Sequence, residues 1–343
     1  MATRLPTVDE HGTIRLPAFE VPLSTYMSER ARSVFIEQSL AGFPGSLNES
    51  QSINEMRRVV DRYHAPGVIR ARELFPVEVE TSTVGGVRVD RVTPRDGLPE
   101  RNRRRILINL HGGGFLTGNG LVGLAESIPI AHVGQVCVVS LHYRMAPECK
   151  FPAASEDVAS VYKDLLSRYR PQNIGIYGCS AGGLLTAESV AWFQVHDLPT
   201  PGAIGIFCAG ADSTSGGDSS YTSTQLNGAF LSAPKVQTAL ETPSPYFELA
   251  DLTDALAFPA LEPTVLARFP PSLLITGTRD RFMSPAIHLH TQLCMAGVDA
   301  RLHVWEGMWH GFLNTPDMPE AMAAYQEIAK FFERTLRHPS EDL

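Results

Sequence analysis

Long apolar runs and a cysteine framework are missing from this sequence, and no secretory leader is expected from its start. None of its 343 residues begins a run of eighteen apolar ones, so no segment reads as a membrane-spanning helix. Met1 to Glu10 lacks the apolar core of a leader peptide. The five cysteines (Cys137, Cys149, Cys179, Cys208 and Cys294) are odd in number and include no C-x-x-C pair. That disfavours a disulfide scaffold or a zinc site and fits reduced thiols in the cytoplasm. Positive charge is in deficit. A formal net charge of −8 argues against nucleic acid or an anionic membrane as the main partner. Internal repeats and heptads are absent. What remains, 43% hydrophobic and 19% charged residues, is ordinary globular composition.

The first 75 residues read as helical. Ala31, Val34, Phe35 and Leu40 are spaced along one helix over 28–40, and Met56, Val59, Val60 and Tyr63 along another over 55–63. So short a segment buries little core alone, so 1–75 is expected to lie as a helical cap on a larger body, 76–343. From Val77 the period changes to two. Val77, Val79, Thr81 and Thr83 alternate with polar residues, Gly85-Gly86 turns the chain, and Val87, Val89 and Val92 return. This predicts a hairpin. Short apolar runs at 105–110, 136–141, 173–177, 203–208, 272–277 and 300–305 read as buried strands. Helical stretches at 154–168, 183–192, 284–295 and 318–336 intervene. Strands alternating with helices predict an α/β fold with a mostly parallel sheet. One insertion, about 213–269, breaks the pattern. Eleven of the sixteen residues 213–228 are Ser, Thr or Gly. It is expected to contribute a lid or pocket wall.

Gly178-Cys179-Ser180-Ala181-Gly182 joins the 173–177 strand to a helix. Strand, G-x-S-x-G, helix is the context of a nucleophile elbow. The turn requires small neighbours at Gly178 and Gly182 and presents Ser180 Oγ at a helix N-terminus. Another strand ends in His111-Gly112-Gly113-Gly114-Phe115. Its glycine amides, those of Gly112 and Gly113 in particular, are expected to donate to a developing oxyanion, with the Ala181 amide as a third donor.

These motifs, together with Tyr143-Arg144-Met145-Ala146-Pro147-Glu148 and Phe151-Pro152-Ala153-Ala154, resemble the hormone-sensitive-lipase-like branch of the α/β-hydrolases over about residues 75–335. The resemblance implies an α/β-hydrolase fold, with a central eight-stranded sheet, helices on both faces and a helical cap. It also implies ester hydrolysis without metal or organic cofactor. One position departs: the family usually carries Asp before the nucleophile, and here it is Cys179. That thiol is expected to pack under the elbow, where thiol reagents would block the site.

An alcohol is a poor nucleophile without a base held by a third group. His310, in the loop after the last strand, is the expected base. His303 lies within a strand, His288 and His290 on a helix and His338 in the tail, while His111 is expected to brace the glycine loop. The expected acid is Asp280, directly after a buried strand and where the family carries its acid. Asp299 and Asp317 are the alternatives. Tyr143, Arg144 and Glu148 are expected to form a buried supporting network, and Phe115, Met308 and Trp309 to line the substrate pocket.

These readings converge on a serine carboxylesterase acting on small or medium acyl esters. A lactone, an acetylated compound or transfer to another acceptor would use the same chemistry, and a non-catalytic receptor is the reading from a different class. The last strand and final helix are a candidate homodimer surface. Activity is expected to rise with pH about a midpoint of roughly 6 to 7 as a histidine base loses its proton. Initial rates that stay flat between about pH 5 and 8 would argue against such a base.

Overall fold

The computed structural model describes residues 5–42, 52–213, 216–227 and 244–336. Parts of the expected cap (1–4 and 43–51), parts of the insertion (214–215 and 228–243) and the tail with His338 lie outside the described residues. A short exposed hairpin, β1 (Thr7–Val8) and β2 (Ile14–Arg15), precedes helix α1 (Glu29–Ala41). The Ser28 hydroxyl caps α1 by accepting from the Ala31 amide. Both carboxylate oxygens of Glu320 accept from Ser28, one from its N–H and one from its O–H, so the cap residue also ties α1 to the far end of the chain. Helix α2 (Ile53–Leu74) is longer than its apolar spacing predicts and runs through Pro66.

The hairpin β3 (Val77–Val84) and β4 (Val87–Pro94) follows. Then come β5 (Ile106–Leu110), α3 (Leu121–Gly134), β6 (Cys137–Leu141), α4 (Ala153–Leu165), β7 (Ile174–Cys179), α5 (Ala181–Val195) and β8 (Ala203–Phe207). After α6 (Asp218–Leu226) and the single turn α7 (Pro263–Leu266), the chain closes with β9 (Ser272–Arg279), α8 (Met283–Met295), β10 (Ala300–Trp309) and α9 (Pro319–Thr335). The eight long strands form one sheet in the order β10-β9-β8-β7-β5-β6-β4-β3. Only the pairs involving β4 are antiparallel.

Alternation along the strands divides the core into two layers. Ile106, Ile108, Ile174, Ile176, Ile204 and Ile206 face α4, α5 and α8. Leu107, Val138, Tyr177, Phe207, Leu273 and Ile275 face α3, α9 and part of α1. Both faces are covered, as a parallel sheet of continuous apolar runs requires. The central strands therefore end together, at the edge where the glycine loop, Ser180 and Asp280 emerge.

The described part of the insertion behaves as core. Tyr246, Phe247, Phe258 and Leu266 are buried against α4 and α5, and the Tyr246 hydroxyl accepts from the Ala154 amide. The last strand runs to Trp309, with a bulge between Trp305 and Trp309, which delivers His310 at its end.

Gly182 sits where a Cβ would overlap the carbonyl of Leu110. Gly182→Ala is expected to destabilise the protein by about 1–3 kcal/mol, because no flexible atom can move aside. A urea midpoint unchanged from the wild type would contradict this packing.

Candidate active site

The residue after β7 forms the turn from strand to helix α5. Ser180 has φ 57° and ψ −121°, a left-handed backbone that a side chain rarely adopts. Its amide donates to the Phe207 carbonyl at 2.8 Å, and its carbonyl accepts the Gly183 and Leu184 amides that open α5. The surrounding strand and helix therefore hold the strain in place.

His310 reaches Ser180 from the end of β10. Its Nε2 lies 3.0 Å from Ser180 Oγ, and its Nδ1 lies 2.9 Å from Asp280 Oδ1. Asp280 is fully buried and also accepts from the Phe282 amide and the Thr276 hydroxyl. Burial would raise its pKa, but the neighbouring His310 charge, its hydrogen bond and the Phe282 amide together hold it below the usual carboxylate value. A charged acceptor at Nδ1 fixes the ring with Nε2 free to take a proton from Oγ. His310 N itself donates to Asn227 Oδ1 at 3.3 Å, so the insertion reaches the site through the residue just past α6. Asp299 and Asp317 lie elsewhere: Asp317 pairs with Arg30 at the cavity wall.

The glycine loop corrects one expectation. The Gly112 amide does not face the cavity; it donates to Glu126 Oε1 at 2.9 Å. The carbonyls of the loop are engaged as well. Gly112 O meets His111 Nδ1, Gly113 O accepts the Leu116 and Thr117 amides, and Gly114 O accepts from Ser244. Phe115 O accepts the Ala146 amide, and Leu116 O accepts from Arg57. The amides of Gly113, Gly114 and Ala181 have no partner among the described residues. These three amides are able to donate to a developing negative charge, whereas the Gly112 amide, expected as a donor, is held by Glu126.

His111 lies under this loop, fully buried and stacked on Tyr143 at 4.2 Å between centroids. Burial lowers its pKa to about 4. A neutral ring carries one N–H, so donation to Gly112 O and acceptance from a turned-over Asn119 carboxamide satisfies both nitrogens. The Tyr143 hydroxyl donates to His111 O at 2.7 Å. Tyr143 is buried as expected, but Arg144 and Glu148 are exposed. Arg144 pairs with Glu156 and Asp157. Glu148 receives Arg57 from α2 in a two-pronged pair.

Between α1, α2 and the glycine loop lies a cavity of about 600 Å³ that contains Ser180 and His310 on its floor. Val34, Val59, Val60, Leu116, Val122 and Trp309 give it an apolar wall. Of the expected pocket residues only Trp309 lines it. The Phe115 ring is buried and stacked on Tyr246 at 4.5 Å, because its left-handed backbone (φ 60°) turns the side chain into the core. Met308 is fully buried within the layer under α1 and α9. None of the insertion's described residues contributes to the wall.

Cys179 is buried under the elbow. The hydrogen bond from Cys208 would lower its pKa, but burial and the nearby carboxyls raise it, so it stays a thiol. Among the described residues, Cys208, Asp280 and His310 are the one trio whose ligand atoms lie close enough to hold a metal, within 4.8 Å. All three are already hydrogen-bonded to one another or to the serine.

A family model described as an α/β hydrolase fold matches residues 107–314. A solved structure, an esterase named E25, superposes with a TM-score of 0.79 at 30% identity, covering 94% of this chain and 99% of its own. The chain belongs to the α/β-hydrolase family, in its hormone-sensitive-lipase-like branch. A second structure, an esterase of the bacterial hormone-sensitive lipase family, gives a TM-score of 0.78 at 25% identity over 90% of this chain and 99% of that one. Among curated relatives, an acetyl-hydrolase of Streptomyces hygroscopicus is 29% identical over 69% of this chain and 78% of its own length. An esterase of Acinetobacter venetianus is 26% identical over 75% and 84%. No described helix of this α/β hydrolase is long and apolar enough to cross a membrane.

Sequence reasoning missed Glu126 and Asn109. Their signal was present as polar residues inside apolar stretches, Ile106-Leu107-Ile108-Asn109-Leu110 and 121–131. Asp280→Asn keeps the shape of the acid while removing its charge, so kcat is expected to fall by roughly 10⁴-fold with little change in fold. A fall below about tenfold would remove Asp280 from the relay.

Proposed function

We propose that this α/β hydrolase is a serine carboxylesterase that cleaves small to medium acyl esters through an acyl-enzyme. The reading rests above all on the line from Ser180 Oγ through His310 to Asp280, opening onto an apolar cavity beside three amides without a partner among the described residues. The names carried by its relatives, esterase and acetyl-hydrolase, point the same way.

His310 Nε2 takes the proton from Ser180 Oγ as the oxygen attacks the ester carbonyl. The Gly113, Gly114 and Ala181 amides receive the oxyanion. The imidazolium, steadied by Asp280, gives its proton to the departing alcohol. Water then passes a proton to Nε2 and attacks the acyl-enzyme, and the carboxylic acid leaves as Ser180 regains its proton. No step in this sequence calls for a metal or cofactor. Helices α1 and α2 serve as the cap, and their apolar wall takes one limb of the ester. A cavity of about 600 Å³ falls within the range that encloses a small molecule. The five free cysteines favour a reducing, cytoplasmic setting.

The test is hydrolysis of p-nitrophenyl esters from acetyl to palmitoyl by the wild type and by Ser180→Ala. Short and medium chains are expected to turn over best, and the variant to lose about 10⁴-fold or more in kcat. A wild type inert on every ester, or a variant that matches it, would sink the proposal.

A further inference from the structure

Glu126 has no part in the proton relay, yet it lies against the machinery. It enters from α3, the helix packed behind the glycine loop, and is almost wholly buried. Its Oε1 accepts the Gly112 N–H at 2.9 Å, and its Oε2 accepts from Asn109 Nδ2 at 2.9 Å. Asn109 Oδ1 in turn accepts from the Ser140 hydroxyl at 2.8 Å. A Cβ placed on Gly112 would lie 3.4 Å from Glu126 Oε1 and 3.5 Å from Ser180 Cβ. The carboxyl therefore sits one atomic layer from the nucleophile, and it touches the lining of the cavity.

The geometry points to Glu126 as the positioning residue of the oxyanion hole: by holding the Gly112 amide inward, it aims the next two amides, Gly113 and Gly114, at the substrate oxygen. This rests on the esterase reading above. A three-glycine loop has little stiffness of its own, and a peptide group left without its buried acceptor would rotate to find another. Among the described residues no other side chain accepts from the Gly112 N–H.

The charge state matters to this role. No cation faces Glu126 among the described groups that set its pKa, and burial pushes it up to about 8 despite the donors Asn109 and Gly112. The titratable groups facing it are Tyr177 and Cys179 from β7 and Tyr143 from the loop after β6, and its charge raises all three. His111, beside Gly112, is held neutral by burial. At neutral pH the carboxyl is therefore mostly uncharged. In that acid form Oε1 still accepts the Gly112 N–H, and an Oε2–H would need the Asn109 carboxamide turned from the orientation above, its oxygen toward Oε2 and its NH₂ toward Ser140 Oγ. Above its pKa a negative charge would stand behind the loop that must receive an oxyanion, so kcat falls as pH rises through about 8.

Three variants measured together decide the matter on p-nitrophenyl butyrate, with thermal unfolding as a check on folding. Glu126→Leu keeps volume but loses the acceptor. Its kcat is expected to fall roughly 10²-fold, the scale of losing one oxyanion donor, with KM within about threefold. Glu126→Gln keeps an acceptor for Gly112 and can turn Asn109 as the acid form does. It is expected to stay within about threefold of wild-type kcat at pH 7 and to lack the alkaline fall. Unimpaired Glu126→Leu, a loss confined to KM, or equal losses in the Leu and Gln variants would overturn the assignment, as would an alkaline fall that persists in Glu126→Gln. Ser180→Ala in the same series separates the two readings. If it stays active, the esterase mechanism fails. If it is dead while Glu126→Leu is normal, only the role of Glu126 fails.

Discussion

The backbone of Ser180 is the constraint on which the site depends. A serine at φ 57° and ψ −121° costs on the order of 1–3 kcal/mol relative to relaxed backbone. That conformation persists only because strand and helix converge on it without room for side chains. Gly178, Gly182 and Gly183 each lie where a Cβ would strike backbone or a neighbouring core atom. The closeness that demands glycine also brings the end of β5 against the start of α5. The glycine loop leaves β5 at that point. Ser180 and the glycine loop are thus neighbours because of one crowded junction, and the residues that relieve the crowding are the ones the motif displays.

Much of this architecture is legible in the sequence because buried parallel strands announce themselves as unbroken apolar runs. The β5, β6, β7, β8 and β9 segments are all readable that way, and the proposed triad rests on the G-x-S-x-G motif at Ser180, the loop after the last strand at His310, and the strand end and family resemblance at Asp280. Helix α3 is not. Its residues from Val122 to Ala131 are buried on nearly every side, so no polar face repeats at 3.6 residues, and Pro129 interrupts the run. The apolar spacing over 55–63 covers only the first part of helix α2, which continues through Pro66 to Leu74.

The errors at the site have a common cause. A run of three glycines shows that amides are exposed but not which way each one points, since glycine carries no side chain to break the symmetry. The direction comes from Glu126 on α3, an element the periodicity had not revealed. Phe115 misled for the complementary reason: its place after the glycines suggested the cavity, while its own left-handed backbone sends the ring to Tyr246. Cys179, where the resemblance leads one to expect Asp, proved simpler. It packs beneath the elbow with Cys208, beside the proposed relay through Asp280.

Arg57 ties helix α2 to the glycine loop. From α2 it donates to the Leu116 carbonyl at 2.9 Å, to the Ala146 carbonyl at 3.1 Å, and to both oxygens of Glu148. The helix that walls the cavity is thereby fastened to the glycine loop beside Ser180, the loop proposed to carry the oxyanion donors. Two segments joined so are thermodynamically linked. A ligand that binds the site more tightly while α2 is folded stabilises α2 against local unfolding by that same coupling free energy.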